Sequence, residues 1–100
     1  MFYIYIIYSA SSDKYYVGYS IDPERRLVGH NNNERTCYSS KHRPWVLKAV
    51  FAVSESRALT MKYEKKIKQL KSRKIIELLI EHNGNFDFLA QLVRVPTGRD

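Results

Sequence analysis

Residues 2–20 read FYIYIIYSASSDKYYVGYS. Phe2 to Tyr8 is continuously apolar, aromatic and β-branched, the composition of a buried strand. Ser9 to Lys14 is polar and built from the short side chains that favour turns. Tyr15 to Ser20 returns to strand composition, so the stretch predicts a β-hairpin around a loop at Ser9–Lys14. Gly18 interrupts the second run, and a glycine inside a strand marks a bulge or a group that must approach the backbone closely.

Outward from the hairpin, Asp22-Pro23-Glu24 is a helix start. Asp22 caps, Pro23 suits the first turn, and Glu24 meets the positive end of the helix dipole. That helix is expected to run to about Asn31, where Asn31-Asn32-Asn33 stops it, and Asn32 to Pro44 reads as a long polar loop. Trp45 to Val53 has strand composition. Ser54 or Ser56 then caps a longer helix, with Leu59, Tyr63, Ile67 and Leu70 as its apolar stripe. Ser72 caps a third helix, Arg73 to about Glu81, which His82-Asn83-Gly84 stops, and Asn85 to Val93 forms a short fourth. The order β-β-α-β-α-α-α predicts an α+β fold, a small three-stranded sheet flanked by helices.

The chain of 100 residues has the length of one domain, residues 1–100, with one compact core. Its hydrophobic content of 44% excludes a disordered chain. A lone cysteine, Cys37, forms no internal disulfide, which points to a reducing, cytoplasmic setting. The apolar run Met1 to Tyr8 is too short to span a bilayer and has no basic leader, so neither a membrane anchor nor a signal peptide is expected. Seventeen Lys and Arg against ten Asp and Glu give a net charge of +7, and it is unevenly placed. Between Lys41 and Lys74 stand eleven basic residues against Glu55 and Glu64, a balance of +9, leaving −2 for everything else. A basic footprint confined to a third of a small protein suits a polyanion, nucleic acid first.

Several polar residues fall where the predicted elements converge. The hairpin sets Tyr5 and Tyr16 on neighbouring strands. Arg26 and His30 share one helix face at i, i+4. Glu64 borders the apolar stripe, three residues before Ile67, among Lys62, Lys65 and Lys66. Each has an ordinary structural use: a rim tyrosine, an exposed arginine, a helix-end histidine, a salt-bridge partner.

Taken together, these residues resemble the GIY-YIG endonucleases. Tyr3-Ile4-Tyr5 stands for the first half of the signature, with Tyr3 where the first glycine would be, and Tyr16-Val17-Gly18 stands for the second. Arg26, His30 and Glu64 follow in the family's order, and Cys37 to Val50 is also similar. The resemblance covers about residues 2–82. It is nearest to small stand-alone members, whose catalytic domain is related to the incision subunit of nucleotide excision repair.

The resemblance implies a metal-dependent DNA endonuclease of the repair or recombination kind, structure-directed or weakly specific. A hard cation, Mg²⁺ or Mn²⁺, would be held by Glu64, which suffices because such ions keep waters and substrate phosphate in their shell. Tyr16 is implied as general base, and since tyrosine ordinarily titrates near pH 10, a nearby cation must favour its phenolate. Arg26 would clamp the scissile phosphate. His30 would hydrogen-bond within the tyrosine pair or shuttle a proton. Tyr5 would position water or phosphate, Gly18 would permit a close approach, and Asn83 is a candidate for an asparagine that follows the metal helix. Lys41, Arg43, Lys62, Lys65 and Lys66 would track the DNA backbone. Two other readings stand beside this one: a non-catalytic nucleic-acid-binding module, and an accessory nuclease subunit that needs a protein partner. Phe86, Phe88, Leu89 and Leu92 would either dock such a partner, or a second copy in a homodimer, or simply close the core.

Overall fold

The structure, a computed structural model, describes residues 1–32 and 39–95, and for Ser39 and Ser40 the backbone alone. Asn33, Cys37 and Pro96, read above as a helix stop, the lone thiol and an element end, lie outside the described residues. The strands are β1 (Phe2–Ser9), β2 (Lys14–Ser20) and β3 (Trp45–Ser54). The helices are α1 (Pro23–Asn32), α2 (Arg57–Leu70), α3 (Arg73–Glu81) and α4 (Phe86–Leu92). A single 3₁₀ turn, Ser39–His42, occupies part of the segment expected as loop. Among the described residues no helix is long and apolar enough to cross a membrane.

The three strands form one antiparallel sheet in the order β2-β1-β3. The central strand is buried on both sides, which is why its sequence reads as an unbroken apolar run rather than an alternation. Ile4 and Ile6 point with Val17 and Phe51 into the larger core, under Tyr63 and Ile67 of α2 and Leu79 and Leu89 of α3 and α4. Tyr5 and Ile7 point the other way, against Trp45 and, from α1, Leu27. Successive side chains of one strand thus build the core and face the candidate site.

Local chemistry explains the helix boundaries. Ser56, rather than Ser54, caps α2, its hydroxyl accepting from the Leu59 N–H at 3.2 Å. Ser72 does the same for α3 through Ile75, and Asn85 for α4 through Phe88. Lys71 closes α2 in the left-handed region, at φ 48°. The expected stripe on α2 needs one correction. Its fully covered residues are Thr60, Tyr63 and Ile67, while Leu70 is 39% exposed. Leu70 is the last residue of α2, at the corner where the chain turns away, and helical periodicity sets its angle without supplying a surface to pack on. At the carboxy-terminal end Leu89 and Val93 are buried, with Phe86 and Phe88 packed against the same core. That segment closes the core.

The hairpin tip is tied to α3. Asp13, at φ 52°, accepts from the Tyr8 hydroxyl and pairs with Arg73 at 2.5 Å. Arg73 also reaches Glu77, and Tyr15 donates to the same carboxylate. This network sets the free edge of β2 against the corner between α2 and α3.

Candidate active site

Strand register brings the first elements of the site together. Tyr5 on β1 pairs with Gly18 on β2, and Ile7 pairs with Tyr16, so Tyr5, Tyr16 and Gly18 share one face. A methyl group built on Gly18 would lie 2.6 Å from Tyr5 Cζ and closer still to its hydroxyl. The close approach expected at Gly18 is therefore that of the Tyr5 ring, which lies across the bare glycine and is almost wholly buried.

Helix α1 covers this face. The Asp22 carboxylate accepts from the Arg25 N–H at 3.2 Å, which starts the helix and places Arg26 and His30 on the side facing the tyrosines. His30 is buried, with Nε2 3.0 Å from the Tyr5 hydroxyl and its ring edge-on to Tyr16 at 5.0 Å. The Arg26 guanidinium lies beside the Tyr5 hydroxyl and favours its charged form. Burial, aided by the Arg26 charge, lowers the His30 pKa below the ordinary histidine value. Burial raises that of Tyr5, with Arg26 pulling it partly back. The Tyr5 hydroxyl and His30 Nε2 thus share one buried hydrogen bond at the back of the cleft.

The end of α1 is pinned in turn. Asn31 donates to the Trp45 carbonyl at 3.0 Å and accepts from the Trp45 N–H at 2.6 Å. Arg43 donates to the His30 carbonyl at 2.9 Å. Read from sequence, Asn31 was only a helix stop; here it joins α1 to the start of β3.

Helix α2 approaches from the β2 side. Glu64, largely covered, meets Lys68 at 3.5 Å, and the Lys68 ammonium lies 5.2 Å from the centre of the Tyr16 ring. Two turns earlier, Arg57 donates from Nε to the Tyr19 hydroxyl at 3.0 Å. Arg57, Glu64 and Lys68 are spaced i, i+7, i+11, and all three run along β2.

These parts enclose one cleft of about 430 Å³, lined by Tyr5, Tyr16, Gly18, Tyr19, Arg26, Arg57 and Glu64. His30 stands behind it, in contact with Tyr5 and Tyr16. Arg57 and Tyr19 are the members sequence reasoning missed, and the seven-residue step from Arg57 to Glu64 was the available signal. Other candidates lie elsewhere. Asn83 accepts from the Val50 N–H at 2.8 Å, completing the outer edge of β3, and does not line the cleft. Lys62 and Lys65 line the neighbouring outer surface of α2, a surface that Glu64 shares. Lys41 and Lys66 are exposed and line neither surface, and Arg43 is engaged behind His30.

The cleft offers a cation one carboxylate beside open volume. That donor set fits a hard divalent ion such as Mg²⁺ or Mn²⁺, which takes one or two carboxylates and fills its shell with water and substrate phosphate. Lys68 holds the same carboxylate, so a cation bound at Glu64 competes with that ion pair.

Residues 1–76 match the family model described as the GIY-YIG catalytic domain, a stretch that holds Tyr5, Tyr16, Arg26, His30 and Glu64 but not Asn83. The chain is also similar to a solution NMR structure of a UPF0213 protein from Bacillus halodurans, at 26% identity and a TM-score of 0.49. That comparison covers 96% of this chain and 100% of the other. No curated protein matches the sequence.

Proposed function

Because the chain belongs to the GIY-YIG catalytic domain family, a nuclease family, we propose that it is a divalent-metal-dependent endonuclease that hydrolyses phosphodiester bonds of DNA. The observation that carries this reading is convergence. Tyr5, Tyr16, Arg26 and Glu64 stand on β1, β2, α1 and α2, and all four line one cleft.

Hydrolysis of a phosphodiester needs a nucleophilic water, charge on the phosphoryl oxygens and help for the leaving oxygen. Tyr16 takes the proton of the attacking water. Arg26 supplies a permanent, planar charge to the phosphate from the wall of the cleft. Tyr5 and His30 act as positioning residues, since Tyr5 is buried against Gly18 and His30 is buried behind it, bonded to the Tyr5 hydroxyl. Glu64 would hold Mg²⁺ or Mn²⁺, which supplies Lewis acidity at the phosphate when bound. Phosphate contacts carry no sequence information, so recognition through the cations around the cleft rests on the DNA backbone and DNA shape, consistent with structure-directed or weakly specific cutting in repair or recombination.

The test is a nuclease assay on plasmid and on branched, flapped and single-stranded oligonucleotides, with Mg²⁺ or Mn²⁺ and with chelator, beside Glu64→Gln. Cutting that requires both metal and Glu64 supports the proposal. Binding without cutting on every substrate refutes it and favours a binding module or a subunit that waits for a partner.

A further inference from the structure

A second groove opens beside the cleft. It has a volume of about 580 Å³ and runs between the free edge of β2 and the corner joining α2 to α3. Val17, Ile67 and Ile76 contribute apolar surface to it, and Lys14, Lys68 and Lys71 contribute cations. Tyr16 lines both the groove and the cleft, so the two adjoin at its ring. Lys68 stands at the junction, 3.5 Å from Glu64 and over the Tyr16 ring.

The charge balance inside the groove is positive for a structural reason. Its acids are neutralised from within: Asp13 is held by Arg73 and Tyr8, and Glu77, on the neighbouring turn of α3, by Arg73 and Tyr15. Among the described residues, Lys14 and Lys71 make no ion pair. Lys71 stands where α2 ends in a left-handed residue, at the corner that walls the groove.

We propose that this groove carries the phosphodiester backbone of the DNA strand where it leaves the cleft, with Lys68 at the entrance and Lys71 and Lys14 along it. The inference rests on the nuclease reading and extends it by giving the bound strand a direction. Lysines act on phosphates as point charges and read no bases, so the groove adds affinity without sequence preference. Lys41 and Lys66, basic as they are, line neither the groove nor the cleft.

The experiment measures binding of fluorescein-labelled single-stranded and duplex DNA by anisotropy, in EDTA, across a salt series. Three proteins are compared: the wild type, Lys14→Gln/Lys71→Gln, and Lys48→Gln/Arg94→Gln. The last pair removes the same charge from exposed positions outside the groove. The groove pair should lower the slope of log K against log salt by about two, one for each lost phosphate contact, and the control pair should leave it unchanged. Equal slopes for all three proteins, or equal losses in both double variants, overturn the groove while leaving metal-dependent cutting to be judged by the nuclease assay. Because all four positions are exposed, thermal melts should coincide, and a binding loss matched by a lowered melting temperature also counts against the groove.

Discussion

Gly18→Ala tests how the site is built. The added methyl meets the Tyr5 ring, 2.6 Å from Cζ and nearer the hydroxyl, a separation that real Cβ atoms essentially never show. The ring has little room to retreat, being 1% exposed and bonded to His30 at 3.0 Å. Overpacking of this kind costs roughly 1–3 kcal/mol. Displacing the hydroxyl from His30 adds about 0.5–1.5 kcal/mol. Replacing glycine by alanine in a strand returns roughly 0.5–1 kcal/mol. The net is a loss of about 2 kcal/mol, which for a domain of this size lowers the melting temperature by roughly 8–16 °C. Gly29→Ala is the contrast, because nothing lies within 4 Å of its added methyl on exposed α1. It should stabilise, by up to about 1 kcal/mol. Urea unfolding of both variants, with cleavage measured below their melting temperatures, separates the cases. Gly18→Ala should lose activity even where it is fully folded, because the displaced Tyr5 ring lines the cleft with Tyr16, Arg26 and Glu64. If the two alanines shift stability alike, or if Gly18→Ala is folded and fully active, the close approach of Tyr5 does not organise the cleft.

Arg57 lines the cleft with Arg26; as a second donor to the phosphate, its loss in Arg57→Ala should reduce turnover by about 10²-fold, whereas Arg57→Lys should stay partly active and Tyr19→Phe, which frees Arg57 without removing it, should cost less. Equal effects of Arg57→Ala and Tyr19→Phe on kcat would make the pair structural. Asn31→Ala leaves the Trp45 N–H without its side-chain partner and should destabilise by about 1–3 kcal/mol in denaturant titration, with α1 losing its hold on β3. His30 titrates below its ordinary value of 6.5 in the folded chain, so in the window just under that value the unfolded state binds the extra proton. Stability therefore falls as pH drops through that window and rises as pH is raised. Urea midpoints measured down to about pH 5 should show this dependence, and His30→Gln should flatten it, histidine being the group that ordinarily titrates there.

What the sequence disclosed was local. The strand-turn-strand composition, the Asp22-Pro23 start and the serine caps act within a few residues, and each stands where it was read. The family signature added Tyr5, Tyr16, Arg26 and Glu64, and the chain folds so that these line one cleft. What escaped depends on docking between elements. Leu70 has the right angle and no neighbour to cover it. Asn83 reads as a site asparagine and instead caps the Val50 N–H at a sheet edge. Asn31 reads as a stop and acts as a clamp, because the strand it grips begins fourteen residues later.

Arg57 shows why such residues stay hidden and how they become visible. Alone on a basic helix it is one cation of many. Its meaning comes from β2, which passes the same side of α2 that carries Glu64 and Lys68, so that Tyr19 receives Arg57 while Lys68 lies on Tyr16. The edge strand thus does two jobs. One set of its side chains packs the core, with Val17 buried and Tyr19 against it, and the other presents the Tyr16 ring and a bare glycine to the cleft. A shift of β2 by one residue would exchange those sets and destroy core and cleft together. Its position is held at the tip by Asp13 and Arg73, neither of which lines the cleft. Loosening that tie, as in Arg73→Ala, should therefore reach the cleft through the strand.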